Sequence, residues 1–168
     1  MKRAAAAGVR VPHVFAVEAD ALVLARVDGP TMEEVLRGRP WRARSLLRTL
    51  ARLPEEVAAA GLAHLDLNPT NVILSPDGPV VIDWTNARPE PDAALDAALT
   101  YVILATSGGR LGPYLARLFA NNVDVERGLE RAAAYRCSDP NVTEPERLLV
   151  RRLLLRRAAR RAARSRGG

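Results

Sequence analysis

Asp66, Asn71 and Asp83 are the side chains best suited to chemistry in this 168-residue chain. They sit in 64-HLDLNPTNVILSPDGPVVIDW-84. Asp66 and Asn71 bracket the tight polar loop Leu67-Asn68-Pro69-Thr70, and a second apolar run closes on Asp83-Trp84. Between them, Ser75-Pro76-Asp77-Gly78 is a turn sequence that predicts a hairpin with strands Val72–Leu74 and Val80–Asp83. A hairpin brings its outer ends together, so Asn71 should lie beside Asp83, with Asp66 a few residues away. One amide oxygen and one carboxylate suit a hard cation such as Mg²⁺, which keeps waters and substrate phosphates as its remaining ligands. A further carboxylate that stays off the metal can take the proton of an attacking hydroxyl. Any one of these residues alone is more often a turn residue, and Asp20 and Asp77 are assigned to that class. The joint pattern carries the reading.

The surrounding elements must hold those residues in place. Val11–Glu18 and Ala21–Val27 are apolar runs that read as a short antiparallel strand pair, ended by Asp28-Gly29-Pro30. Thr31 and Glu34 have capping-box spacing and predict a helix start. A longer helical stretch, Arg42–Ala60, should kink or restart at Pro54 and end at Gly61. After the hairpin the pattern is helical over Asp92–Thr106, Pro113–Asn121, Val125–Arg136 and Glu144–Arg164. Trp41 and Tyr101 are expected in the packing, and His13 is expected to be a plain strand residue. The fold class is α+β: a strand pair over residues 1–30, then a helical lobe over 31–168 with one internal hairpin.

The pattern H-x-D-x-x-x-x-N, followed by a hairpin and D-W, resembles the catalytic loop and metal-binding segment of the protein-kinase-like fold. Twelve residues separate Asp83 from Asp96, and no A-P-E follows, so the sequence resembles the aminoglycoside/choline phosphotransferase branch more than the protein kinases. The resemblance covers roughly residues 8–107. It implies ATP and Mg²⁺ as cofactors, with Asp66 as catalytic base and Asn71 and Asp83 as metal ligands. It also implies that His64 supports the loop and that Asp96 holds the loop's backbone from below. Backbone groups of Ala25, Arg26 and Val27 would form the hinge that meets an adenine. The implied reaction is transfer of a γ-phosphoryl group to a hydroxyl, with a small molecule as the expected acceptor.

Departures from that pattern shape the expectation. Only seven residues precede Gly8, no Gly-rich loop is present, and Lys2 is the sole lysine. The sequence therefore reads as a C-lobe with a remnant N-lobe, and weak ATP binding is expected. The alternative is a catalytically inactive, pseudokinase-like binding or regulatory protein. Leu65 follows the histidine where glycine or arginine is frequent, and Asn68 stands where a cation often does.

Composition narrows the remaining classes. Residues 147–168 hold nine arginines and no acid, which takes the rest of the chain from the overall +6 to −3. The segment 144–164 reads as an amphipathic helix, with Leu148, Leu154, Leu155, Ala158, Ala159 and Ala162 on one face and Arg152, Arg156, Arg157, Arg160 and Arg164 on the other. Packing on the lobe is the favoured role for it. Binding of nucleic acid or an anionic surface is the alternative, weakened by the absence of aromatic residues there. One cysteine, Cys137, excludes an internal disulfide, and two histidines do not make a zinc site. No signal peptide or spanning run is read, so a cytoplasmic protein is expected.

Overall fold

Among the described residues, alternating and helical periodicities resolve into twelve regular elements, with short 3₁₀ turns between some of them. The structure is a computed structural model that describes residues 1–165, with side chains through Ala159. A short helix α1 (Lys2–Ala6) leads into the antiparallel pair β1 (Val14–Val17) and β2 (Leu22–Leu24). Helices α2 (Met32–Gly38), α3 (Ala43–Leu50) and α4 (Leu53–Ala59) follow. The second pair is β3 (Val72–Ser75) and β4 (Gly78–Val81). The rest is helical: α5 (Ala93–Ser107), α6 (Gly112–Ala120), α7 (Leu129–Ser138) and α8 (Glu144–Ser165). This is the mixed α+β architecture expected from the sequence.

Local chemistry explains most boundaries. Thr31 Oγ1 accepts the Glu34 N–H while a Glu34 carboxylate oxygen accepts the Thr31 N–H, closing the capping box that starts α2. The break between α3 and α4 falls at Ala51-Arg52, ahead of Pro54. Pro54 sits in the first turn of α4, where its missing N–H has no helical partner to lose. Gly61 takes φ +71° after α4, a left-handed conformation that glycine adopts without a Cβ penalty. β4 is earlier than expected, pairing Ser75 with Gly78 and Val72 with Val81. Asp83 therefore lies beyond the strand, because at φ +55° the chain has already turned out of extended geometry.

The core lies between α3, α4, α5 and α6 and is built from side chains such as Leu47, Leu50, Val57, Leu99, Val102 and Phe119. The β3–β4 hairpin is bordered on both edges. Val81 N–H donates to Arg10 O (2.9 Å), and Leu74 N–H donates to Pro30 O (2.8 Å). Gly29 makes the second approach possible, because a Cβ there would stand 2.5 Å from the Leu74 carbonyl oxygen.

Two expectations are corrected. Trp41 is 76% exposed, because the 3₁₀ turn Pro40–Arg42 holds no buried residue. Helix α8 does dock, on α5 and α7, but through a different face. Val150 is fully buried and Leu153 and Leu154 are half-buried, whereas Leu148 and Leu155 are exposed. Arg157 turns inward because its guanidinium lies over the Tyr101 ring (4.4 Å) and pairs with Glu126. Glu146 turns inward to meet Arg136 at 2.8 Å. The faces assigned to Arg160, Ala162 and Arg164 lie outside the described side chains. No described helix is long and apolar enough to cross a membrane.

Candidate active site

The loop between α4 and β3 is fixed before any ligand is considered. Leu65 is 3% exposed and takes φ +65°, a conformation that costs a β-carbon-bearing residue on the order of 1 kcal/mol or more. Asp96, fully buried in the first turn of α5, offsets that cost. One of its carboxylate oxygens accepts the His64 N–H at 2.8 Å and the other the Leu65 N–H at 2.6 Å. Burial pushes its carboxyl up to about 6, against the opposing pull of those two N–H groups. Thr100, one turn further along α5, donates its hydroxyl to Leu67 O.

His64 joins the loop to the hairpin exit. Nε2 lies 3.1 Å from Ile82 O, and Nδ1 lies 3.3 Å from the Asp66 N–H. A carbonyl can only accept and an N–H can only donate, so the ring is neutral, with its proton on Nε2. Burial lowers the imidazole's proton affinity, while Ile82 O and the carboxylates of Asp66 and Asp83 pull it upward. Trp84 packs against the ring at 4.7 Å and donates Nε1–H to Val81 O. Behind it, Ala63 and Arg88 exchange both backbone bonds, at 3.0 and 2.9 Å, and tie the segment after Asp83 to the loop.

Asp66 is clamped by two amides. Asn71 Nδ2 donates to Asp66 O and Oδ2, both at 2.9 Å. Asn68 Nδ2 donates to Asp66 Oδ1 at 2.9 Å and to Asp66 O at 3.2 Å. Asn68 is held in turn as the cap of the 3₁₀ turn Pro69–Asn71, accepting the Thr70 N–H at 2.9 Å. With its nitrogen on Asp66, Asn71 has its Oδ1 free of Asp66, 3.5 Å from the Thr70 hydroxyl.

Asp83 meets this group through the backbone: Ile82 N–H donates to Asn71 O at 3.0 Å, next to the Val72–Val81 pair. Its carboxylate is exposed and accepts the Thr85 hydroxyl at 2.7 Å. Thus Asp66 and Asn71 are in direct contact, and Asp83 lies at the adjoining hairpin exit without a side-chain bond to either. Among the described residues, no cluster of three or more His, Cys, Asp and Glu side chains could hold a metal. The oxygens on offer are one amide and one carboxylate, a set that fits a cation keeping waters and phosphates as its other ligands. At the hinge, Ala25 N–H is already used by His13 O (2.8 Å). Arg26 is exposed and pairs with Asp28 at 3.2 Å, and Val27 is half-buried.

A cavity of about 580 Å³ opens on the Asp66 side of the loop, lined by Asp66, Asn68, Pro69 and Thr70 from the loop itself. Neither Asn71 nor Asp83 lines it. Sequence reasoning had no part for Asn68, Thr70 or Thr100 here. The Asn-Pro pair was the available signal, since asparagine before a proline at a helix start is a capping arrangement.

Comparison with known proteins supplies a family. A RIO domain family model matches residues 1–96, which runs from α1 through Asp96. It lies in the protein-kinase-like superfamily, the level of the resemblance that the match supports. The chain is 35% identical over 103 residues to a probable serine/threonine-protein kinase, PkwA, of Thermomonospora curvata, covering 55% of this chain and 14% of that protein. It is 33% identical over 69 residues to a probable serine/threonine-protein kinase BUD32 homolog of Archaeoglobus fulgidus, covering 41% of this chain and 32% of that one. A putative cyclin-dependent kinase F-2 of rice is 40% identical over 68 residues, 36% of this chain and 21% of the relative. The chain thus spans less than a third of the length of each of these relatives.

Proposed function

The chain belongs to the RIO domain family, and from that premise we propose that it is an ATP- and Mg²⁺-dependent phosphotransferase in which Asp66 is the catalytic base. The observation that carries this reading is the double clamp on Asp66, whose two carboxylate oxygens are each held at 2.9 Å by an asparagine amide. A base must have its oxygen fixed within reach of the proton it takes, and this carboxylate is fixed in the lining of a cavity. Asn71 Oδ1 and the Asp83 carboxylate would hold Mg²⁺, which would supply charge neutralisation along the nucleotide's phosphates. Asp66 would take the acceptor's hydroxyl proton as the oxygen attacks the γ-phosphorus, whose bond to the bridging oxygen breaks and releases ADP. Asn68 and Asn71 would keep the carboxylate oriented, and Asp96 and His64 would keep the loop in place.

The acceptor side favours a small molecule, as the sequence resemblance to the aminoglycoside/choline branch implies. The kinase names of the relatives would equally allow a protein hydroxyl. Calorimetric titration with Mg·ATP tests the nucleotide half. The wild-type chain should bind, and both Asn71→Ala and Asp83→Asn should weaken Mg·ATP by about tenfold or more while leaving metal-free ATP little changed. Equal loss for ATP with and without Mg²⁺ would remove these residues from the metal's shell.

A further inference from the structure

We propose that the cavity beside Asp66 is the acceptor site and that it takes a small, uncharged, mainly apolar alcohol rather than a polycation. The inference rests on Asp66 being the base, since the cavity is assigned by its contact with that residue. Its volume, about 580 Å³, lies in the range of pockets that enclose a single small molecule. Most of its exposed wall is apolar, from Leu36, Pro40 and Ala43 and from Ile103, Leu104 and Leu115 of α5 and α6, interrupted by the hydroxyl-bearing Thr70, Ser107 and Tyr114.

The charges around it are already matched within the protein. Glu33 pairs with Arg37 at 2.9 Å. Arg136 gives Nε and Nη2 to Glu146 at 3.0 and 2.8 Å and stands 3.6 Å from Asp139. Among the described residues lining the cavity, Asp66 is the one carboxylate whose partners are neutral amides. A polycationic acceptor needs several unpaired acids, and an anionic one would meet the Asp66 charge without a free cation. An apolar body with one hydroxyl aimed at Asp66 satisfies both the walls and the base. Half of the wall comes from residues beyond position 96, outside the stretch the family model matches, so this pocket is a property of the chain itself.

Ligand-observed NMR with 2-(2-naphthyl)ethanol as probe, without nucleotide, tests the assignment. The wild-type chain should bind the probe, and Leu115→Trp and Ile103→Trp, each filling the cavity, should weaken it about tenfold or more. Excess kanamycin, an aminosugar polycation, should not displace it. Absence of probe binding, binding unaffected by both tryptophan variants, or displacement by kanamycin would each overturn the proposal. The catalytic reading fails separately: probe binding with no Mg·ATP-dependent transfer to the probe would leave a pocket without its enzyme.

Discussion

Two titratable side chains support the loop that carries Asp66, and burial moves their protonation in opposite senses. Asp96 titrates near 6 in the fold against 3.8 when unfolded, so the folded state holds that proton more tightly. Its contribution is fully present below pH 3.8 and is lost as pH rises through about 6. The amplitude is about 3 kcal/mol. His64 is held below its ordinary 6.5, so its contribution is present above that pH and is lost as pH falls. Urea unfolding of wild type and Asp96→Asn between pH 4 and 7 should separate the two, with wild type gaining on the variant as pH falls. A constant difference across that range would exclude the burial account of Asp96. Asp96→Ala leaves the His64 and Leu65 N–H groups buried without acceptors and should cost about 2–5 kcal/mol. Much of this scale was legible in the sequence. The kinase-like resemblance implies that Asp96 holds the loop's backbone, and its neighbours Leu95, Leu99 and Val102 make a solvated aspartate less comfortable there. Asn68 was not legible, because its role depends on the direction of an amide nitrogen toward the Asp66 backbone oxygen and Oδ1.

At the scale of elements, the hairpin is a rigid body gripped on both edges by residues 10 and 30. Gly29→Ala should force the 29–31 segment away from β3, since the added carbon would lie 2.5 Å from Leu74 O and φ +143° disfavours any side chain. A loss of about 2 kcal/mol or more is expected in chemical denaturation, with faster amide exchange at Leu74. Thr31→Ala removes the box that starts α2 and should cost about 1 kcal/mol. Helix starts were readable because capping is chemistry local to four residues. The end of β4 was not, because apolar residues continue through Ile82 while the turn at Asp83 is set by contacts with His64 and Thr85.

At the scale of the whole molecule, α8 joins the lobe through charged side chains as well as through Val150, Leu153 and Leu154. Arg136, Glu146 and Ser107 link α7, α8 and α5 through the single oxygen Glu146 Oε1. Glu146→Ala should cost about 1–2 kcal/mol, because it leaves a mostly buried guanidinium with Asp139 at 3.6 Å as its remaining carboxylate partner. Periodicity placed the apolar face of α8 wrongly, because it cannot foresee an arginine drawn inward by Tyr101 and Glu126. The superfamily was legible from 21 consecutive residues, whereas the family within it needed the match over residues 1–96. The central claim is that Asp66 is the base of a phosphoryl transfer. It is tested most directly by [γ-³²P]ATP transfer to 2-(2-naphthyl)ethanol, comparing wild type with Asp66→Asn at saturating Mg·ATP. The variant's kcat should be lower by about 10²–10⁴-fold with unchanged nucleotide affinity. Wild-type turnover in the variant, or no transfer by either protein, would contradict it.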